Sequence, residues 1–199
     1  MTADTSRPEE LAALRAALDR LSPLPESAFA RLPLTRQVLP RGAVLLRAGE
    51  AATRTGFVLA GALREYWILE DGSERTRSFN LPGDFAGSLS DLLEARPSRI
   101  WVTAERDSVV LAADWATLRQ LSDTDPAWGR LSRAVAEQLY LRKVEREYEL
   151  LALDAAARYR RTLERWPTLE QLFSQRDIAS YIGITPVHLS RLRGRKSGG

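Results

Sequence analysis

Near the C-terminus, Ser190 and Arg191 stand side by side in the run ITPVHLSRLRGR, with Val187 three residues before the serine. An arginine so placed pairs bidentately with guanine O6 and N7, and a serine hydroxyl tolerates several bases. Thr185, Arg176 and Arg193 are better placed for phosphate oxygens, which position a protein without reading sequence. His188 is the only histidine of the chain. On an exposed helix face it reads as a surface or phosphate contact rather than a catalyst or metal ligand.

Other chemistry is short of parts. The chain has no cysteine, so disulfides, iron–sulfur clusters and zinc fingers have no thiolates to use. A catalytic metal site usually takes two or three histidines, and a Ser-His-Asp triad would need His188, which has no partner pattern nearby. An enzyme built on the central region fails on ligand supply. Its carboxylates Glu65, Glu70, Asp71 and Glu74 cluster around turns and read as solvated surface. No metal or cofactor is expected.

The elements that would hold the basic face follow from the residues around it. Ser174 and Asp177 have capping-box spacing, the serine oxygen facing the Asp177 amide and the carboxylate reaching back. A helix then runs from Gln175 to Ile182, and Gly183 can take the left-handed conformation that stops it. Thr185 caps a second helix with Pro186 at its first position, where the missing N–H costs nothing. Ile178, Ile182, Leu189 and Leu192 fall inward, Ile184 plugs the turn, and Ala179 is small where two steeply crossing helices meet. This is a helix-turn-helix. Its outer face carries Val187, Ser190 and Arg191, the side that enters a major groove in such a motif.

Charge agrees with that reading. From Gln175 onward five basic residues (Arg176, Arg191, Arg193, Arg195, Lys196) face Asp177 alone, a net +4, whereas the preceding 174 residues carry −1. A basic patch confined to one end is the footprint of a polyanion site, double-stranded DNA first among candidates.

Upstream the texture changes twice. Residues 9–21 read as a short amphipathic helix broken by Pro23 and Pro25. From Gln37 to about Ala113, runs rich in Val, Leu, Trp and Tyr alternate with glycine turns, predicting six to eight short strands in an antiparallel roll or sandwich. Asp71-Gly72 supplies the positive φ angles of a tight hairpin turn there. Residues 115–121 read as helix. Residues 125–153 hold no glycine after Gly129 and no proline after Pro126, and apolar residues recur at Ala134, Leu141, Val144, Tyr148 and Leu151. One helix of about 29 residues spans about 43 Å, further than a small roll covers, so this stripe reads as a dimer interface. Residues 154–166 form another helix, ended by Pro167. At 199 residues the chain has room for more than one core. It shows no span for a membrane and no signal peptide, so a cytoplasmic protein is expected.

Roll, long seam helix and helix-turn-helix, in that order, resemble the Crp/Fnr family of bacterial transcription regulators across nearly the whole chain. The residues that carry the resemblance are the glycine ladder Gly42, Gly49, Gly61, Gly72, Gly83 and Gly87, the run LPGDFAG, and RDIASYIGITPVHLSRLRGR. AraC-type regulators share the last helix but carry two such motifs. The fold class expected is therefore α+β: a jelly-roll-like antiparallel β-roll at 1–124, a dimerisation helix at 125–153, and a helix-turn-helix at 154–199. The resemblance implies a homodimer on an inverted repeat, its two reading helices about one DNA turn apart, and RNA polymerase as a further contact.

Two departures stand out. Family members that bind cyclic AMP carry a glutamate just after the glycine of the GDF-x-G run and an arginine further on. Here the pocket positions are Gly87, Ser88, Leu89, Ser98 and Arg99, with serine at both places and Arg99 one residue late. A one-residue offset on a strand turns the side chain to the other face. Cyclic AMP is thus not expected to bind in the family manner, and the effector is unknown. The family also continues into a β-hairpin wing, where this sequence reads RKSGG. The reading set against the regulator is a small-molecule-binding module whose helix-turn-helix serves structure or partner docking.

Overall fold

The computed structural model describes residues 7–196, with Arg195 and Lys196 described in backbone only. Two of the five basic side chains counted at the C-terminal end, and the closing Ser-Gly-Gly, therefore lie outside the described residues.

The N-terminal helices α1 (Pro8–Asp19) and α2 (Glu26–Phe29) lead into a six-stranded antiparallel sheet. Its strands are β1 (Leu34–Leu39), β2 (Val44–Leu46), β3 (Arg54–Ile68), β4 (Glu74–Asn80), β5 (Phe85–Ala86) and β6 (Trp101–Asp114), with the short helix α3 (Leu89–Leu93) before the last. The order is β1-β6-β3-β4, with β2 also on β6 and β5 also on β3.

Two strands are longer than the glycine punctuation suggests. GFVLAG and ALREYWI read as separate strands, but the chain runs through Gly61 as the single β3; RIWVT and SVVLAA likewise join as β6. Gly61, at φ +88°, makes a bulge there instead of a turn. A Cβ at that point would lie 2.3 Å from the Asp107 carbonyl oxygen and 2.2 Å from Ser108 Oγ. The register of β3 on β6 shifts repeatedly around it, which curls a sheet into a roll. The β3–β4 hairpin also differs in detail. Only Gly72 has positive φ, while the Asp71 carboxylate accepts the Ser73 N–H at 2.8 Å.

Three apolar clusters hold the molecule. Leu39, Val58, Leu63, Ile100, Val102 and Val110 fill the roll. Leu14, Leu18, Phe29, Phe57, Leu121, Trp128 and Leu131 join the N-terminal helices to α4 (Trp115–Thr124) and to the first turns of α5 (Pro126–Ala152). Trp128 Nε1 donates to the Ala28 carbonyl at 3.0 Å, so α5 starts anchored. Beyond those turns α5 loses its cover. Leu141, Val144, Tyr148 and Leu151 are exposed, Leu141 at 65% and Leu151 at 80%, with Tyr140 and Leu150 exposed beside them; Ala134 is half-buried.

The third cluster extends the core expected of the helix pair to a partner on the roll that the sequence reading did not name. Ala62 and Phe79 of the roll pack with Tyr159, Leu169, Phe173, Ile178, Tyr181, Ile182 and Leu189. These come from α6 (Ala155–Arg165), α7 (Leu169–Leu172), α8 (Gln175–Ile182) and α9 (Pro186–Lys196) and the segments between them. The terminal helices therefore dock on the roll. Among the described residues, no helix is long and apolar enough to cross a membrane, and no group of three or more His, Asp or Glu could hold a metal ion.

Candidate nucleic-acid interface

The two terminal helices are built as their residues predict. Ser174 Oγ accepts the Asp177 N–H at 3.2 Å and caps α8. Gly183 has φ +75°, and the Ile184 N–H reaches back to the Ala179 carbonyl at 3.0 Å, a Schellman closure. Thr185 Oγ1 accepts the His188 N–H at 3.2 Å, capping α9. Ile178, Ala179, Ile182 and Leu189 are buried, Ile184 packs against them, and Leu192 is half-buried.

One detail of the cap differs. The Asp177 carboxylate accepts the Ser174 hydroxyl at 2.6 Å and faces Arg64 Nη1 at 3.2 Å, so it is drawn towards the roll. Arg64 lies buried on β3 and also meets Glu74 at 2.7 Å and Glu105 at 2.9 Å, its guanidinium 4.0 Å over the Tyr66 ring. The Thr76 N–H donates to Ser180 Oγ at 2.9 Å beside it. From the other side, Arg146 of α5 donates to the Tyr181 carbonyl and Arg158 of α6 to the Ile182 carbonyl at 2.8 Å. Two cations thus meet the carbonyl end of α8, where the helix dipole favours positive charge. Buried Glu149 joins Arg146 (3.1 Å) to Arg165 (2.9 Å).

The outward face stays open. Val187 is 62% exposed, and Arg176, Thr185, His188, Ser190 and Arg191 are exposed too. Thr185, Val187, His188, Arg191 and Leu192 line one shallow recess. Arg193, expected to meet phosphate, is half-buried and already paired. Its Nε lies 3.0 Å from Glu170 Oε1, which also accepts the Tyr159 hydroxyl at 2.6 Å. Burial and that carboxylate push the Tyr159 hydroxyl up to about 12. Arg193 is a brace between α7 and α9.

The pocket positions of the roll come together, but their donors are spent. Ser98 points inward and its hydroxyl closes on the Ile100 backbone. Arg99, one residue on in the bend before β6, turns its side chain outward at 59% exposure. Ser88 is buried and donates to Asp91 Oδ2 at 2.6 Å; Leu89 opens α3, half-buried. The Gly87 N–H donates to Glu65 Oε1 at 3.1 Å, and Arg77 Nη1 meets Glu65 Oε2 at 2.8 Å. Glu65, read from sequence as solvated surface, is therefore a buried group, because it sits on the inner face of β3 away from the turn. Glu74 likewise serves Arg64 rather than solvent alone. Burial pushes the Glu65 carboxyl up, against the pull of Arg77 and the Gly87 N–H.

Asp91 was missed. It accepts from Ser88, from the Arg99 N–H at 3.0 Å and from Arg96 Nε at 2.9 Å. Burial would raise its carboxyl, but those donors and the Arg99 charge hold it down at about 2. The available signal was an acid inside the apolar run SLSDLL with arginines five and eight residues later.

Residues 36–125 match the model of the cyclic nucleotide-binding domain. The chain is 26% identical over 171 residues to the anaerobic regulatory protein of Aggregatibacter actinomycetemcomitans, covering 80% of this chain and 66% of that one. It is 25% identical over 180 residues to the fumarate and nitrate reduction regulatory protein of Escherichia coli K12, covering 82% and 70%. The chain spans about two thirds of the length of these curated relatives, which are regulatory proteins. The structure of FixK2 from Bradyrhizobium japonicum superposes with a TM-score of 0.72 at 24% identity, over 83% of this chain and 85% of that one. With the roll, the helix order and the regulators it matches all in agreement, residues 36–125 form a cyclic nucleotide-binding domain and the chain is homologous to regulatory proteins of the Crp/Fnr type.

Proposed function

We propose that the protein is a sequence-specific DNA-binding transcription regulator working as a dimer on an inverted repeat. The observation that carries this reading is the outer face of α9. Val187, His188, Ser190 and Arg191 stand open on a helix whose other side is sunk in a buried core. A helix so presented fits a major groove, Arg191 addressing guanine while Ser190 and Val187 meet neighbouring bases. Arg176 and Thr185 flank it for phosphates. The uncovered stripe of α5 supplies a surface for a second copy. RNA polymerase at a promoter is the other proposed protein partner, and DNA as target puts the protein in the cytoplasm. In this reading residues 1–124 sense, 125–153 dimerise and 154–199 bind DNA.

Selection of genomic fragments by the purified protein at near-physiological salt tests this, since non-specific affinity falls steeply with salt. One inverted repeat should be recovered without cyclic AMP. Arg191→Ala should then weaken binding to that repeat by about 5- to 150-fold, the equivalent of about 1–3 kcal/mol. Recovery of no common sequence, or an unchanged affinity for Arg191→Ala, removes the reading.

A further inference from the structure

The loop from Gly87 to Arg99 gathers polar donors around one point. Ser88 Oγ (2.6 Å) and the Arg99 N–H (3.0 Å) reach one oxygen of Asp91; Arg96 Nε (2.9 Å) and Arg99 Nε (3.3 Å) reach the other. A hydroxyl, a main-chain amide and two guanidiniums converging on a pair of oxygens are the donor set that holds phosphate and carboxylate anions. Here the anion belongs to the chain. Asp91 is 1% exposed, whereas Arg96 and Arg99 approach it from the solvent side, their side chains 32% and 59% exposed. The neighbouring Gly87 N–H, which an incoming oxyanion would also use, is taken by Glu65.

We propose that Asp91 is an internal pseudo-ligand. It fills an oxyanion cradle made by Ser88, Arg96 and Arg99, and so closes this part of the roll to phosphorylated small molecules. A bare loop clip would need only one of these four bonds. The cradle accounts for all of them, and for the direction of both arginines. Removing the carboxylate leaves a hydroxyl, an amide and two cations around a vacated space, Arg96 also being held by Glu94, and a phosphoryl or carboxylate oxygen pair matches that donor set. The proposal does not depend on the regulator reading, because no DNA enters its test.

The test is thermal unfolding of the full chain in matched ionic strength of chloride, acetate or inorganic phosphate, with cyclic AMP as a separate arm. Asp91→Ala should melt lower than wild type in chloride and regain much of the loss, saturably, in phosphate or acetate. Its affinity for phosphate should exceed that of the wild type by at least about tenfold. Asp91→Asn, which keeps the space filled, should show no such recovery. If Asp91→Ala gains cyclic AMP binding as well, the cradle admits a phosphodiester; if it gains phosphate alone, it takes only a free oxyanion. Either supports the proposal. Wild type that binds phosphate or cyclic AMP as tightly as Asp91→Ala would overturn it. So would an Asp91→Ala protein that stays destabilised in every anion. Should Asp91→Ala not fold in chloride, refolding it in phosphate is the same test, and Asp91→Ser repeats it with a smaller loss of polarity.

Discussion

Asp91 gives the roll a definite response to acid. Its carboxyl is held at about 2, against an ordinary value of 3.8. A depressed carboxyl stabilises the fold while ionised, so its contribution is present above about pH 4 and is lost as pH falls through about 2. The size is about 2 kcal/mol. Denaturant titrations at successive pH values should show this loss in wild type and a flatter acid limb in Asp91→Asn; identical limbs would contradict the assignment. Glu65 works in the opposite sense. Its carboxyl is raised by burial, so the penalty for ionising it shrinks as pH falls through its folded value. At this scale the sequence was half legible. The family resemblance placed Ser88, Ser98 and Arg99 in one pocket, and the strand it implied there set Ser98 and Arg99 on opposite faces; the two lie instead in the bend before β6. The sequence could not show what those groups bind, because Asp91 and Glu65 reach them only once α3 and β3 are folded.

The long helix was legible almost to the residue: periodicity and the absence of breakers gave 125–153, and α5 runs 126–152. The strands were less so, because glycine in a curled sheet marks bulges as well as turns, and Gly61 is one of the former. Helical spacing also named the α5 stripe, and its exposure agrees. Glutamate at Leu141 and Leu151 should leave the folded chain within about 0.5 kcal/mol, since both side chains are largely exposed in one copy. The same pair should shift sedimentation from dimer to monomer. A wild type that sediments as a monomer would remove the proposed dimer, and a variant that remains a dimer would move its interface elsewhere.

At the scale of the molecule, the terminal helices are not a free appendage. Phe79 touches Trp166, Phe173 and Tyr181, with ring centroids 4.3–5.5 Å away, and Arg64 ties Asp177 beside them. Residues so far apart in the chain give no local signal, which is why the sequence showed a helix-turn-helix but not its seat. Arg64→Ala would leave Glu74, Glu105 and Asp177 without their shared cation, a loss of about 3 kcal/mol for a buried network. Hydrogen exchange should speed at the Thr76 amide and along α8, more than in β1 or α1. Uniform protection, unchanged from wild type, would show the seat to be held by the aromatic contacts alone.

Trp128 and Leu131 fix one end of α5 to the roll, Arg146, itself held by Glu149, fixes the other to α8, and α8 returns to the roll through Phe79 and Arg64. Three members joined at three corners make a triangulated truss, and α5 is its strut. A strut of this kind has a set length and a set rotation: one residue more or fewer between Leu131 and Arg146 would turn its far corner by about 100° and move it about 1.5 Å. No side-chain adjustment absorbs both, so the number of residues in that span is as fixed as any contact. The same geometry means that α9 has no free hinge. Re-aiming it requires one corner of the truss to open, and the weakest corner sets how much free energy that takes.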